Sequence, residues 1–150
     1  MKAMVHLQVG AAVPSLPNAT HFKHWVETVF ASTCPKQREL TIRVVNSNES
    51  QALNEQYRHK KGPTNVLSFP NDPTPGMDEA YLGDIALCAP LVEQEASEQG
   101  KLPEAHWAHL TIHGVLHLLG YDHVKKGEAE KMERLEITLL NQLGFPNPYQ

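Results

Sequence analysis

The sequence predicts an α+β (mixed α/β) fold with one small, four-stranded mixed sheet. Three observations carry that expectation. Strand and helix signals alternate through the first two-thirds of the chain, and helical signals fill the remainder. One segment near residue 110 is apolar around nearly its whole circumference, which marks a helix buried in the core. The chain has 150 residues, 41% of them hydrophobic and 20% charged. That is the make-up of one folded domain over residues 1–150 rather than of a disordered chain. A chain of this size buries about 68–70% of the surface its unfolded form exposes, so it needs no disulfide staples.

Each element has a local reason. Val5, Leu7 and Val9 alternate with polar residues and predict the first strand. Phe22, Trp25, Val26, Val29 and Phe30 recur at helical spacing, with Asn18 or Thr20 available as a cap and Pro35 just beyond the end. Leu40–Val45 is rich in β-branched residues and predicts a second strand. A short helix follows over about Ser50 to Tyr57, with Asn48 as its cap. Arg58 to Thr64 reads as a loop because of Gly62-Pro63, and Asn65–Phe69 as a third strand. The proline-rich stretch Pro70–Glu79 predicts an irregular surface loop, and Tyr81–Cys88 a fourth strand. Pro90 opens a helix that Gly100 stops. Pro103 opens the buried helix, which extends to about Leu119, and a last helix runs from about Glu128 to Leu143. The alternating Glu and Lys from Glu128 to Glu136 predict a solvated helix face.

Composition narrows the function. Formal net charge is −4 at pH 7, which excludes a nucleic-acid protein that is basic all over. The charge is unevenly placed: residues 1–65 carry eight Lys/Arg and four Asp/Glu, and residues 66–150 carry five and thirteen. Arg58, His59, Lys60 and Lys61 cluster in the basic half. Such a patch can bind phosphate whatever the net charge, because the contact depends on the local field. The two cysteines, Cys34 and Cys88, form no CxxC and read as small packed residues. Nothing near Met1 resembles a targeting signal and no apolar run reaches the ~18 residues of a membrane span. With free thiols, the expectation is a cytoplasmic protein without membrane contact.

Histidine is the anomaly. There are nine, and five fall between His106 and His123. A helix turns about 100° per residue, so with His113 at zero, His117 lies near +40°, His109 near −40° and His106 near +20°. All four occupy one stripe of an otherwise apolar helix. Four core histidines, each bonded to a carbonyl or carboxylate, are one reading. The segment from His113 to His123 favours another. Imidazoles at i and i+4 stand about 6 Å apart along the axis and can reach one ion. Gly120 can end the helix at positive φ and turn the chain so that His123 joins the same face. Three nitrogen ligands and an open fourth position describe a catalytic zinc site, with one ion expected. His109 is placed to line the cleft, and His106 reads as a partly exposed residue at the helix start.

The spacing matches the metzincin pattern HExxHxxGxxH at every ligand and at the glycine. Gly114 stands where that pattern has its glutamate, the general base of peptide hydrolysis. The metal scaffold is therefore present without the usual protease base. Asp122 can orient a ligand histidine or take a proton; it can equally cap the turn. Tyr121 reads as packing. Arg58 either pairs with an acid such as Glu55 or grips a phosphate through its planar fork, and its neighbours Lys60 and Lys61 favour the phosphate. Structural roles are expected for Asn65 and Asp84.

These residues also carry a resemblance. His113-Gly-x-Leu-His-Leu-x-Gly-Tyr-Asp-His123 is similar to the signature of the bacterial YbeY family. Leu53-Asn-x-x-Tyr57-Arg58, Pro63-Thr-Asn-Val-Leu-Ser-Phe69 and Leu82-Gly-Asp-Ile85 agree in the same order. The resemblance implies a zinc-dependent endoribonuclease that acts on single-stranded ribosomal RNA precursor. It implies a place in small-subunit 3′-end maturation and ribosome quality control, with the ribosome or ribosomal proteins as partners. It places zinc on His113, His117 and His123 and makes Arg58 important for RNA cleavage. It also implies a central helix with the sheet on one side and further helices on the other. Two other functions fit the residues: a metallopeptidase-like hydrolase with a substituted base, and a non-enzymatic ribosome-assembly factor with a structural metal.

Overall fold

The computed structural model describes residues 3–33, 38–71, 80–121 and 125–150. The chain runs β1 (Ala3–Val9), α1 (Ala19–Thr33), β2 (Arg38–Val45), α2 (Ser47–Arg58), β3 (Val66–Pro70), β4 (Tyr81–Cys88), α3 (Ala89–Glu98), α4 (Pro103–Leu118) and α5 (Lys126–Gln142). The α+β expectation holds: the described residues form five helices and one four-stranded mixed sheet.

The strand order is β1-β2-β4-β3. β1 and β4 flank β2 in parallel, and β3 closes the far edge antiparallel to β4. The parallel pairs need helical crossovers, which α1 supplies between β1 and β2. Side chains alternate across a strand, and β2 and β4 show why the sheet has two unequal cores. Leu40, Ile42, Val44, Ile85 and Leu87 face the larger core with α1, α4 and α5. Val45, Ala86 and Cys88 face a smaller one with Leu53, Leu67, Phe69 and Leu91. Helix α4 touches α1, α3, α5, β3 and β4, which makes it the central helix that the sequence anticipates.

Three local expectations shift. α2 starts at Ser47 because Asn46, not Asn48, is its cap: the Asn46 side chain accepts from the Glu49 N–H at 2.8 Å. Arg58 is the last residue of α2 rather than part of the loop. The helix predicted from Glu128 begins one half-turn earlier, at Lys126. At α1 the Asn18 side chain accepts from the His21 N–H at 2.9 Å. Cys34, Pro35 and most of the proline-rich stretch lie outside the described residues. No helix among the described residues is long and apolar enough to cross a membrane.

Candidate functional site

The site is built on α4. Its apolar residues Trp107, Ile112, Val115 and Leu116 are fully buried, which fixes the helix's rotation and leaves the histidine stripe facing α3 at its start and α5 and the surface beyond. Along the stripe, ring centroids are 6.4 Å apart for His106–His109, 6.2 Å for His109–His113 and 4.6 Å for His113–His117. The helix ends as its glycine requires. Gly120 has φ +99°, and the Tyr121 N–H returns to the Leu116 carbonyl at 3.0 Å. Asp122 and His123, predicted beyond that turn, lie outside the described residues.

His113 and His117 are brought together. Their Nε2 atoms are 3.1 Å apart. Two nitrogens bound tetrahedrally to one ion at 2.0–2.1 Å would be separated by about 3.3 Å, so this pair fits a shared divalent ion. On its other side, His113 donates from Nδ1 to Glu136 Oε2 at 2.9 Å. Glu136 comes from α5 and is completely buried. Its second oxygen, Oε1, accepts from His109 Nε2 at 2.6 Å and from the Tyr149 hydroxyl at 2.5 Å. Ligand atoms of His109, His113 and Glu136 all lie within 4.8 Å of one another, so a side-chain cluster able to hold a metal ion exists on this face.

The electrostatics follow from these bonds. Burial pushes the Glu136 carboxyl up, but hydrogen bonds from His109, His113 and Tyr149 outweigh it and hold the group at about 2. Burial and the Glu136 carboxylate together push the Tyr149 phenol up. Glu136 thus stays an anionic acceptor at neutral pH, and Tyr149 stays a donor.

Two sequence expectations fail here. Glu136 is not on a solvated face: it lies in line with Met132, Leu139 and Leu140, all buried. That spacing was the available signal, since a residue at i+4 from Met132 and i−4 from Leu140 shares their stripe. His106 is not partly exposed. It is 4% exposed and its Nε2 bonds Glu95 Oε1 at 2.8 Å, because α3 covers the start of α4. Burial lowers the His106 pKa, and the Glu95 bond opposes that shift. His106 and His109 also line a pocket of about 290 Å³ with Lys101, Pro146, Asn147 and Pro148. The Lys101 ammonium donates to the Pro148 carbonyl at 2.6 Å, which ties down the tail that carries Tyr149.

The basic cluster lies at the end of α2. Arg58, Lys60 and Lys61 are exposed, and Arg58 makes no ion pair among the described residues. Glu55 instead accepts from Gln51 at 3.2 Å. The loop itself is fixed. His59 turns the chain at φ 55°, Asn54 donates to the Gly62 carbonyl at 2.9 Å, and Ser50 donates to the Thr64 carbonyl at 2.7 Å. β3 follows this loop and reaches the site: Ser68 Oγ donates to the Gly114 carbonyl at 3.1 Å, next to His113. Asn65 Nδ2 bonds Glu95 Oε1 at 3.0 Å, and the Tyr81 hydroxyl bonds Asp84; both contacts knit elements together.

Gly114 matters for what the site lacks. A Cβ there would lie 2.9 Å from Ile85 Cγ2, so this position faces the sheet and not the histidines. A glutamate in its place would collide with β4.

The chain is similar to known proteins over most of its length. Residues 12–144 match the sequence model of a family described as Endoribonuclease YbeY. Two proteins named Endoribonuclease YbeY, from Coxiella burnetii strains Dugway 5J108-111 and RSA 493 / Nine Mile phase I, are each 53% identical over 148 residues, which spans 97% of this chain and 97% of theirs. The solution structure of TM1509 from Thermotoga maritima superposes with a TM-score of 0.60 at 27% identity, covering 93% of this chain and 91% of that one.

Proposed function

The chain belongs to the YbeY endoribonuclease family, and from that premise we propose that it is a metal-dependent endoribonuclease of ribosomal RNA maturation. The observation that carries the metal dependence is the 3.1 Å approach of His113 Nε2 to His117 Nε2 on a buried helix. In this reading His113, His117 and His123 hold one zinc ion, with zinc favoured by the all-nitrogen donor set. When bound, such an ion supplies Lewis acidity and a water acidic enough to act near neutral pH.

The chain's own residues supply the rest. The exposed guanidinium of Arg58 presents five donors in a planar fork and clamps a phosphate oxygen pair. Lys60 and Lys61 follow the neighbouring backbone of a single-stranded RNA segment, and because the loop's backbone is already fixed, binding carries little further cost of ordering it. Asp122, adjacent to the third ligand in sequence, orients a ligand or takes a proton. The substrate is a small-subunit ribosomal RNA precursor near its 3′ end, and the same cleavage serves ribosome quality control. The partners are the ribosome or its proteins, and the compartment is the cytoplasm. The whole of 1–150 acts as one domain. The direction of Gly114 toward Ile85 supports a nuclease over a metallopeptidase-like hydrolase, because no base can be placed there.

The test is cleavage of structured ribosomal RNA by protein of verified metal content, beside Arg58→Ala and His117→Ala. Wild type is expected to cut and both variants to lose most activity. Equal cutting by all three overturns the nuclease reading. Cleavage surviving only in Arg58→Ala would leave the metal role standing and remove the phosphate clamp.

A further inference from the structure

We propose that Glu136 is the positioning residue of the metal site: it holds His113 in the tautomer whose Nε2 faces the ion, with Tyr149 fixing the carboxylate from behind. The inference rests on the metal reading above and adds a residue from a different helix.

An ionised carboxylate only accepts. The 2.9 Å contact between His113 Nδ1 and Glu136 Oε2 therefore places the proton on Nδ1. In a neutral imidazole the lone pair is then on Nε2, the atom that stands 3.1 Å from His117 Nε2. One bond thus decides which ring nitrogen carries the lone pair, and it also fixes the ring's rotation. Ligand histidines are commonly oriented by a carboxylate on the opposite nitrogen in this way.

The same accounting separates Glu136 from the ligand set. Its contacts with His109 and His113 are 2.6 and 2.9 Å. Those are hydrogen-bond distances, and a ring nitrogen that donates its proton to a carboxylate has no lone pair left for an ion. His109 Nε2 must carry its proton to make its bond, so that nitrogen is not available as a ligand. The His109 Nδ1 atom is buried without a hydrogen-bond partner among the described residues. The cluster of His109, His113 and Glu136 therefore reads as the support beneath the ligands.

Tyr149 completes the arrangement. Its hydroxyl donates to Oε1 at 2.5 Å, on the oxygen that does not serve His113. With His109 on that oxygen too, the carboxylate cannot rotate without breaking two bonds. Glu136 is held from three sides: by the α5 backbone, by α4 and by the C-terminal tail.

The experiment measures zinc affinity by competition with a chromophoric chelator, and the visible spectrum of the cobalt(II) form, for wild type, Glu136→Gln and Arg58→Ala. Circular dichroism and thermal unfolding confirm that each is folded. Glu136→Gln is expected to bind zinc about 10–100-fold more weakly with an altered cobalt spectrum, while Arg58→Ala binds like wild type. A folded Glu136→Gln with unchanged affinity and spectrum overturns the proposal and leaves the metal reading intact. A wild type that binds neither ion sinks both. If Glu136→Gln does not fold, nitrogen-15 spectra of metal-free wild type at pH 8 decide: His113 protonated on Nδ1 supports the assignment, and protonation on Nε2 alone overturns it.

Discussion

Replacing Gly114 by alanine tests how closely α4 must approach the sheet. The added Cβ would sit 2.9 Å from Ile85 Cγ2, 3.2 Å from Cδ1 and 3.4 Å from Cγ1. Ile85 is fully buried and β-branched, so it has no easy rotamer to escape into. Overpacking of this kind costs about 1–3 kcal/mol, and the helix gains about 1 kcal/mol when Gly becomes Ala. The net expectation for Gly114→Ala is a loss of up to about 2 kcal/mol. The sharper quantity comes from pairing it with Ile85→Ala, which removes all three colliding atoms and alone costs about 2–5 kcal/mol. In that background Gly114→Ala should stabilise by about 1 kcal/mol, because only the propensity gain remains. The coupling between the two changes is therefore about 1–3 kcal/mol. Urea unfolding of the four proteins with linear extrapolation measures it. A coupling within the additivity error of about 0.5 kcal/mol would refute the close approach, and with it the reason that no acidic side chain occupies this position.

Two further outcomes follow from the site's surroundings. If Lys60 and Lys61 each neutralise one phosphate, Lys60→Ala or Lys61→Ala should flatten the dependence of log affinity on log salt by about 0.7 for a single strand, and unchanged slopes would remove them from the RNA path. His106 is buried against Glu95, with Lys101 and His109 nearby, and burial sets its folded pKa below its unfolded value near 6.5. As pH falls, the unfolded chain takes up that proton first, so the contribution is full above about pH 6.5 and is lost on acidification. Urea unfolding between pH 8 and pH 5 should therefore show less acid sensitivity for His106→Gln than for wild type, and parallel curves would contradict it.

What could be read from the sequence was whatever depends on near neighbours. The i, i+4 spacing of His113 and His117, the glycine at 120 and the basic run after Tyr57 are all local patterns, and helix geometry alone converts them into a stripe, a turn and a patch. The central burial of α4 followed from its apolar circumference. The same reasoning failed at Glu136 and His106, where a run of charges and a helix start suggested solvent. Both residues are buried by elements that arrive from elsewhere in the chain, α4 and the C-terminal tail for Glu136 and α3 for His106.

By itself the sequence determined the fold class, the helix that carries the histidines, and the family whose motif they resemble. Only the tertiary structure decided the strand order β1-β2-β4-β3, the direction in which Gly114 faces, and the carboxylate beneath His113. The physical reason is the range of the forces involved. Periodicity fixes which side of a helix is apolar, but which side chain from 23 residues away reaches a given ring nitrogen is set by how the helices pack.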